Sequence, residues 1–218
     1  MENKKVVTLI NEIEKDLYKF IIILKKNPGY TKALSLVTGK HGRHLGKFIS
    51  VEYEAMIKLY TANIFIRLNK ALRGIGNVKF DKELKAMQKI LDDALSKLPI
   101  FEQGSNPLQR SAFFTEAEIK KLFKEGKDFV EKGFMSTTYS EMALKQWLID
   151  NPLHNVIFKV YGKNGKLIEK ASMLPWENEV LFRSGTTFIV DGITKIKHPI
   201  QSRARNGEKI YQIVLKEK

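Results

Sequence analysis

The chain of 218 residues contains no cysteine. That excludes disulfides, zinc ribbons, iron–sulfur clusters and thiol nucleophiles. It leaves the compartment open, because many exported bacterial proteins also do without Cys. Arginine is scarce: of 38 basic residues seven are Arg and 31 are Lys. Base readout and arginine-rich phosphate clamps rely on the bidentate guanidinium fork. A lysine-rich surface therefore fits diffuse attraction better than sequence reading of nucleic acid. Long apolar runs are missing too. Phe20-Ile-Ile-Ile-Leu24 is the longest, far short of the roughly 20 residues that a spanning helix needs. The basic start Met1-Glu-Asn-Lys-Lys is not followed by an apolar h-region or a small-residue cleavage site, so no signal peptide is expected.

What is present suffices for a folded core, with 43% hydrophobic and 10% aromatic residues. The 38 basic residues against 24 acidic ones leave a net charge of +14. Such a charge serves solubility, or attraction to nucleic acid, an anionic membrane or an acidic protein. The histidines His41, His44, His154 and His198 lack the spacing and the neighbouring carboxylates of a metal site, so no metal is expected. Gly39, Gly42 and Gly46 do not form a dinucleotide-binding glycine loop, and no Walker A sequence occurs.

Periodicity divides the chain near residue 100. Val6, Ile10, Ile13, Leu17, Ile21 and Leu24 predict a helix over 6–25 that Asn27-Pro28-Gly29 stops. A polar, Gly-containing stretch (38–46) follows. Residues 50–73 read as a second helix closed by Gly74 and Gly76, and 80–98 as a third stopped by Pro99. Beyond a loop over 99–111, Thr115-Glu-Ala-Glu118 is a capping box opening a short helix to Glu125. Ser140 can cap another over 141–149. Strand-like runs then cover 155–161, 166–169, 179–182, 187–193 and 210–215. Asn164-Gly165 and Asn206-Gly207 read as type I′ hairpin turns. Helices first and strands later predict an α+β fold, a helical layer packed on a mixed or antiparallel β core, in one domain over 1–218.

Three segments carry chemistry. Leu108-Gln109-Arg110-Ser111-Ala112 places one Arg on a strand-like run. Gly133-Phe-Met-Ser136-Thr137-Thr138 reads as the end of a buried strand. Glu177-Asn178-Glu179 opens a strand, and strict alternation would put both carboxylates on one face. Two like charges that close need a cationic partner, or one pKa must rise. Each segment alone also has a plain reading, as an edge-strand Arg, a helix cap and two solvated Glu. Trp147 and Trp176 alone read more simply as core residues than as base-stacking platforms.

In this order the segments resemble the R-S-E signature of the mono-ADP-ribosyltransferase exoenzymes, in the subclass with Glu-x-Glu. Tyr60-Thr61, Leu68-Asn69 and Leu72-Arg73 are similar to that family's NAD-contacting helix. Leu98-Pro99, Phe123-Lys-Glu-Gly126 and Glu177 to Thr186 extend the likeness over about 50–195. Departures are Gln109 and Ser111 beside the Arg, and Thr138 in place of Ser.

The resemblance implies a β-sandwich core of ADP-ribosyltransferase type and NAD-dependent transfer of ADP-ribose to a protein side chain. Glu179 would stabilise the oxocarbenium-like state as nicotinamide leaves, and Ser136 would position it. Glu177 would orient or deprotonate the acceptor, an arginine where this position is Glu. Arg110, with Arg73 as the alternative, would hold the diphosphate. Asn69, Tyr60, Arg73, Ser136, Thr137 and Trp147 are the further expected NAD contacts, Trp147 packing on nicotinamide. The resemblance further implies an acceptor protein such as actin, a small GTPase or the transcription or translation machinery. It also allows a separate delivery component and a secreted or injected setting, with action in the target-cell cytoplasm. An NAD glycohydrolase, a cytoplasmic modifier and a lysine-rich module for nucleic acid or acidic proteins are the alternatives.

Overall fold

The computed structural model describes residues 17–39, 42–200 and 207–218. Residues 6–16 of the first expected helix, His41 and Asn206 lie outside them. The chain divides into two compact units, Met1–Leu98 with Lys170–Met173, and Pro99–Glu169 with Leu174–Lys218.

The first unit is helical. Residues 17–24 are helical, as their periodicity predicts. The triplet expected only to stop that helix also starts another, α1 (Pro28–Thr38). Asn27 is its N-cap, accepting from Tyr30 N at 2.9 Å, and Pro28 occupies the first turn. A proline with fixed φ suits a helix start as well as a helix stop. The helix expected over 50–73 is a composite. It runs as α2 (Val51–Leu59), one π turn (Tyr60–Ile64) and α3 (Phe65–Arg73), and ends at Gly74 with φ 67°. Only glycine takes that conformation without a Cβ penalty. Asp81 caps α4 (Lys82–Lys97) through Leu84 N. The buried Glu54 on α2 accepts the backbone N–H groups of His44 (2.6 Å) and Leu45 (3.0 Å), which fixes the preceding loop.

The second unit holds β1 (Leu108–Ala112), α5 (Glu116–Leu122), β2 (Asp128–Glu131), β3 (Met135–Thr138) and α6 (Glu141–Asp150). Then come β4 (Val156–Tyr161), β5 (Lys166–Leu167), β6 (Glu179–Phe182), β7 (Thr186–Lys197) and β8 (Lys209–Glu217). The strands form one eight-stranded sheet in the order β2-β7-β8-β4-β1-β3-β6-β5. Every pairing is antiparallel except β4 with β8. The mixed, mostly antiparallel sheet agrees with the α+β expectation. Phe123, Phe158, Phe182 and Phe188 pack in the larger core of this unit, while Leu144 and Leu148 of α6 cover Ile157 and Ile210. Thr115 and Glu118 make both halves of the capping box.

One turn differs from expectation. Asn164-Gly165 does not close a hairpin, because β4 and β5 are not neighbours in the sheet. Glu217 instead accepts the Asn164 backbone and side-chain N–H groups at 2.8 and 2.9 Å. Glycine is required at 165 by close packing, since a Cβ there would meet Val180 Cγ1 at 2.7 Å.

Candidate active site

Strands β1, β3 and β6 are adjacent, and their register aligns the three motif segments. Gln109 lies opposite Thr138, and Thr138 opposite Glu179. Ser136 pairs with Leu181, so Glu179 is its diagonal neighbour on the same face, within reach of a side-chain contact. Val180, Leu181 and Phe182 are fully buried and carry Glu179 inward with them, leaving it 3% exposed. The Ser136 hydroxyl donates to the Glu179 carboxylate. Arg110 Nη1 donates to the backbone oxygen of Ser136 at 2.8 Å, which fastens the guanidinium to the strand bearing that serine. Thr137 turns to the other face and donates to Val180 O at 2.7 Å.

Burial governs the electrostatics. Desolvation pushes the Glu179 carboxyl up to about 7, with the Glu177 charge adding to it. The Ser136 hydrogen bond and Arg110 pull the other way. Near neutral pH this carboxyl can hold or give up a proton at little cost. His154, bonded through Nδ1 to Ser111 Oγ at 2.9 Å, has its pKa lowered by burial and then by Arg110.

The two glutamates do not alternate along a strand as expected. Glu177 ends a 3₁₀ turn (Pro175–Glu177), and Asn178 sits at φ 49°, ψ 50° before β6 begins. This left-handed residue breaks the two-residue repeat, so the shared-face expectation fails. Glu177 instead accepts from Trp147 Nε1 on α6 at 2.8 Å. Burial raises its pKa, and the Trp147 bond opposes the rise. The expectation for Trp147 was nicotinamide packing, and nothing in the sequence pointed to Glu177 as its partner. Met142, Gln146 and Asp150 on α6 line a groove of about 430 Å³ together with Trp176. Trp176 is 47% exposed rather than a core residue.

The family model described as ADP-ribosyltransferase exoenzyme matches residues 39–217. The chain belongs to this family. Among curated proteins it is similar to the putative NAD(+)–arginine ADP-ribosyltransferase Mav of Mycobacterium avium, 28% identical over 141 residues. That match covers 62% of this chain, and the chain spans only 15% of the relative's length. Among solved structures it is similar to the ADP-ribosyltransferase HopU1 of Pseudomonas syringae (TM-score 0.70, 19% identity, 94% of this chain and 97% of that one). It is likewise similar to exoenzyme S of Pseudomonas aeruginosa (TM-score 0.67, 20% identity, 93% and 88%). These structural likenesses establish the exoenzyme fold.

NAD is the substrate of the exoenzyme family, and the chemistry of the donor set fits it. A guanidinium suits a diphosphate, and a buried carboxylate suits a ribose whose charge becomes positive. Among the described residues no group of three or more His, Cys, Asp and Glu could hold a metal. The remaining expected NAD contacts lie in the helical unit. Tyr60 begins the π turn and is buried, Asn69 on α3 is buried, and Arg73 ends α3. Asn69 Nδ2 donates to Tyr60 Oη at 3.1 Å. Nine residues are about two and a half α-turns, which alone would put the two on opposite faces. The wider i→i+5 turn, in which Phe65 N donates to Tyr60 O, alters that phase.

The sequence reading missed Asn178, Tyr139 and Glu169, which surround the Glu177–Glu179 link. The clue was Asn directly after Pro-Trp-Glu, since Asn tolerates the left-handed turn conformation better than other side chains.

Proposed function

We propose that this chain is an NAD-dependent mono-ADP-ribosyltransferase whose acceptor is a protein arginine. The observation that carries this reading is the buried Glu179, bonded by Ser136, with a second carboxylate two residues upstream held apart on Trp147. NAD supplies the ADP-ribosyl group, with rupture of its ribose C1′–nicotinamide bond and formation of a bond from C1′ to a guanidinium nitrogen. Glu179, ionised, faces the positive charge that develops on the ribose. Ser136 keeps that carboxylate in place, and Arg110 binds a diphosphate oxygen. Glu177 binds the acceptor guanidinium and takes the proton it loses, a role that a raised pKa serves. Tyr60, Asn69, Arg73, Thr137 and Trp147 are the further candidates for the NAD site. The name of Mav supports arginine as acceptor. The exoenzyme family supports secretion or injection, followed by action on a protein in the cytoplasm of a target cell.

The test measures nicotinamide release from NAD with and without agmatine, a small guanidinium acceptor. Wild type should do both reactions. Glu179→Gln should lower both by about 10²-fold or more, the range for removing a group that stabilises the transition state. Glu177→Gln should cut transfer far more than hydrolysis. Full activity in Glu179→Gln would sink the reading.

A further inference from the structure

Asn178 has the only non-glycine positive φ among the described residues. For an L-residue this conformation costs about 1–2 kcal/mol, least for Asn, and a strained residue persists where its surroundings over-determine it. Here the surroundings are specific. Asn178 N donates to Pro175 O at 3.1 Å, closing the 3₁₀ turn. Its side-chain Nδ2 donates to Tyr139 Oη and to Glu169 Oε2, both at 3.2 Å. Tyr139 Oη in turn donates to Glu169 Oε2 at 2.6 Å, so three side chains form a closed triangle. Tyr139 directly follows β3, stacks on Phe101 at 5.5 Å, and has its hydroxyl pKa raised chiefly by that bond to Glu169. Glu169 lies just beyond β5, where Ile168 N donates to Glu179 O at 3.0 Å. The triangle thus ties the ends of β3 and β5 to the one residue between the two glutamates.

That residue decides where each carboxylate goes. With extended backbone at 178, Glu177 and Glu179 would project on one face and repel each other. With the left-handed turn, Glu179 enters the sheet beside Ser136, and Glu177 meets the Trp147 indole. We propose that Asn178, tethered to Tyr139 and Glu169, is a positioning residue that aims Glu177 at the acceptor and so sets how much ADP-ribose goes to the guanidinium rather than to water. This rests on the transferase reading above and adds a determinant of its acceptor step.

The experiment uses the full chain with Asn178→Ala, Asn178→Gly and Tyr139→Phe. Two readouts are taken: the ratio of agmatine modification to NAD hydrolysis, and the NMR signal of the Trp147 indole N–H, assigned by its loss in Trp147→Phe. Asn178→Ala, which loses both tether and conformational tolerance, should lower the ratio about tenfold and shift the indole signal toward that of a free indole. Asn178→Gly keeps the left-handed backbone and should recover part of both. Tyr139→Phe should fall between wild type and Ala. A ratio and an indole signal that stay at wild-type values in all three variants would overturn the proposal, as would equal loss of both reactions with an unmoved indole. If wild type neither hydrolyses nor transfers, the transferase reading falls. The indole signal then still decides whether Asn178 aims Glu177.

Discussion

The helical unit and the sheet unit place their candidate residues by different means. In the helical unit Tyr60 and Asn69 belong to one continuous helical run, and a single π turn adjusts their phase. In the sheet unit Arg110, Ser136, Trp147, Glu177 and Glu179 come from different elements and meet through strand register and long-range bonds. Local geometry therefore suffices for the first set, whereas the second depends on the whole sheet being assembled. On the proposed reading the first set supports NAD binding and the second carries the chemistry.

The sharpest break in that comparison is at Arg110. Lysine keeps the charge but loses the fork and the fixed bond to Ser136 O. On the proposed reading Arg110→Lys should lower kcat/KM for NAD by about 10²-fold, by the loss of the guanidinium contact to the diphosphate. Steady-state kinetics showing less than a threefold loss would remove Arg110 from the site.

Next in size is the pH response of Glu179. Its folded pKa of about 7 lies above the ordinary 4.5, so the folded state binds the extra proton between those values. The stability linked to this group is fully present below pH 4.5 and is lost as pH rises through 7. Glu179→Gln removes that dependence and should melt above wild type at pH 8 but not at pH 4. Thermal scans with the same difference at both pH values would contradict it. For activity the sign reverses, because on the proposed reading the ionised form works: kcat/KM for NAD should fall as pH drops below about 7.

The smallest effect belongs to the helical unit. Asn69→Leu removes the bond to Tyr60 Oη and should destabilise the chain by about 1 kcal/mol, since a buried hydroxyl loses one hydrogen-bond donor. On the proposed reading it should raise KM for NAD more than it lowers kcat. A kcat loss as large as that of Arg110→Lys would erase the distinction between the units.

Much of this arrangement was legible in the sequence because Arg110, Ser136 and Glu179 sit on strands with their own apolar signatures. Met135–Thr138 and Glu179–Phe182 are read from their apolar runs, whereas Leu108–Ala112 read as strand-like around Arg110 although a loop was expected as far as 111, and the order of the three segments pointed to the family. What escaped reading depends on contacts that no local pattern encodes. Trp147 and Glu177 are 30 residues apart, and only the packing of α6 joins them. Asn178 looked like one more strand residue because alternation was assumed to run through it. Asn27-Pro28 read as a stop because the signals that end one helix can cap the next. The Asn164-Gly165 pair took its hairpin meaning from composition, while its partners, Glu217 and Val180, come from distant strands.

Strand β8 lies between β7 and β4 and, among the described residues, is the strand that joins β2-β7 to the five strands that include β1, β3 and β6. Without it the sheet would be two ribbons, each with a bare edge of unpaired N–H and C=O groups. One of those edges is β7, twelve residues long. Edges of that kind template self-association. By pairing on both sides, β8 thus covers the β7 and β4 edges that would otherwise be open to another copy of the molecule.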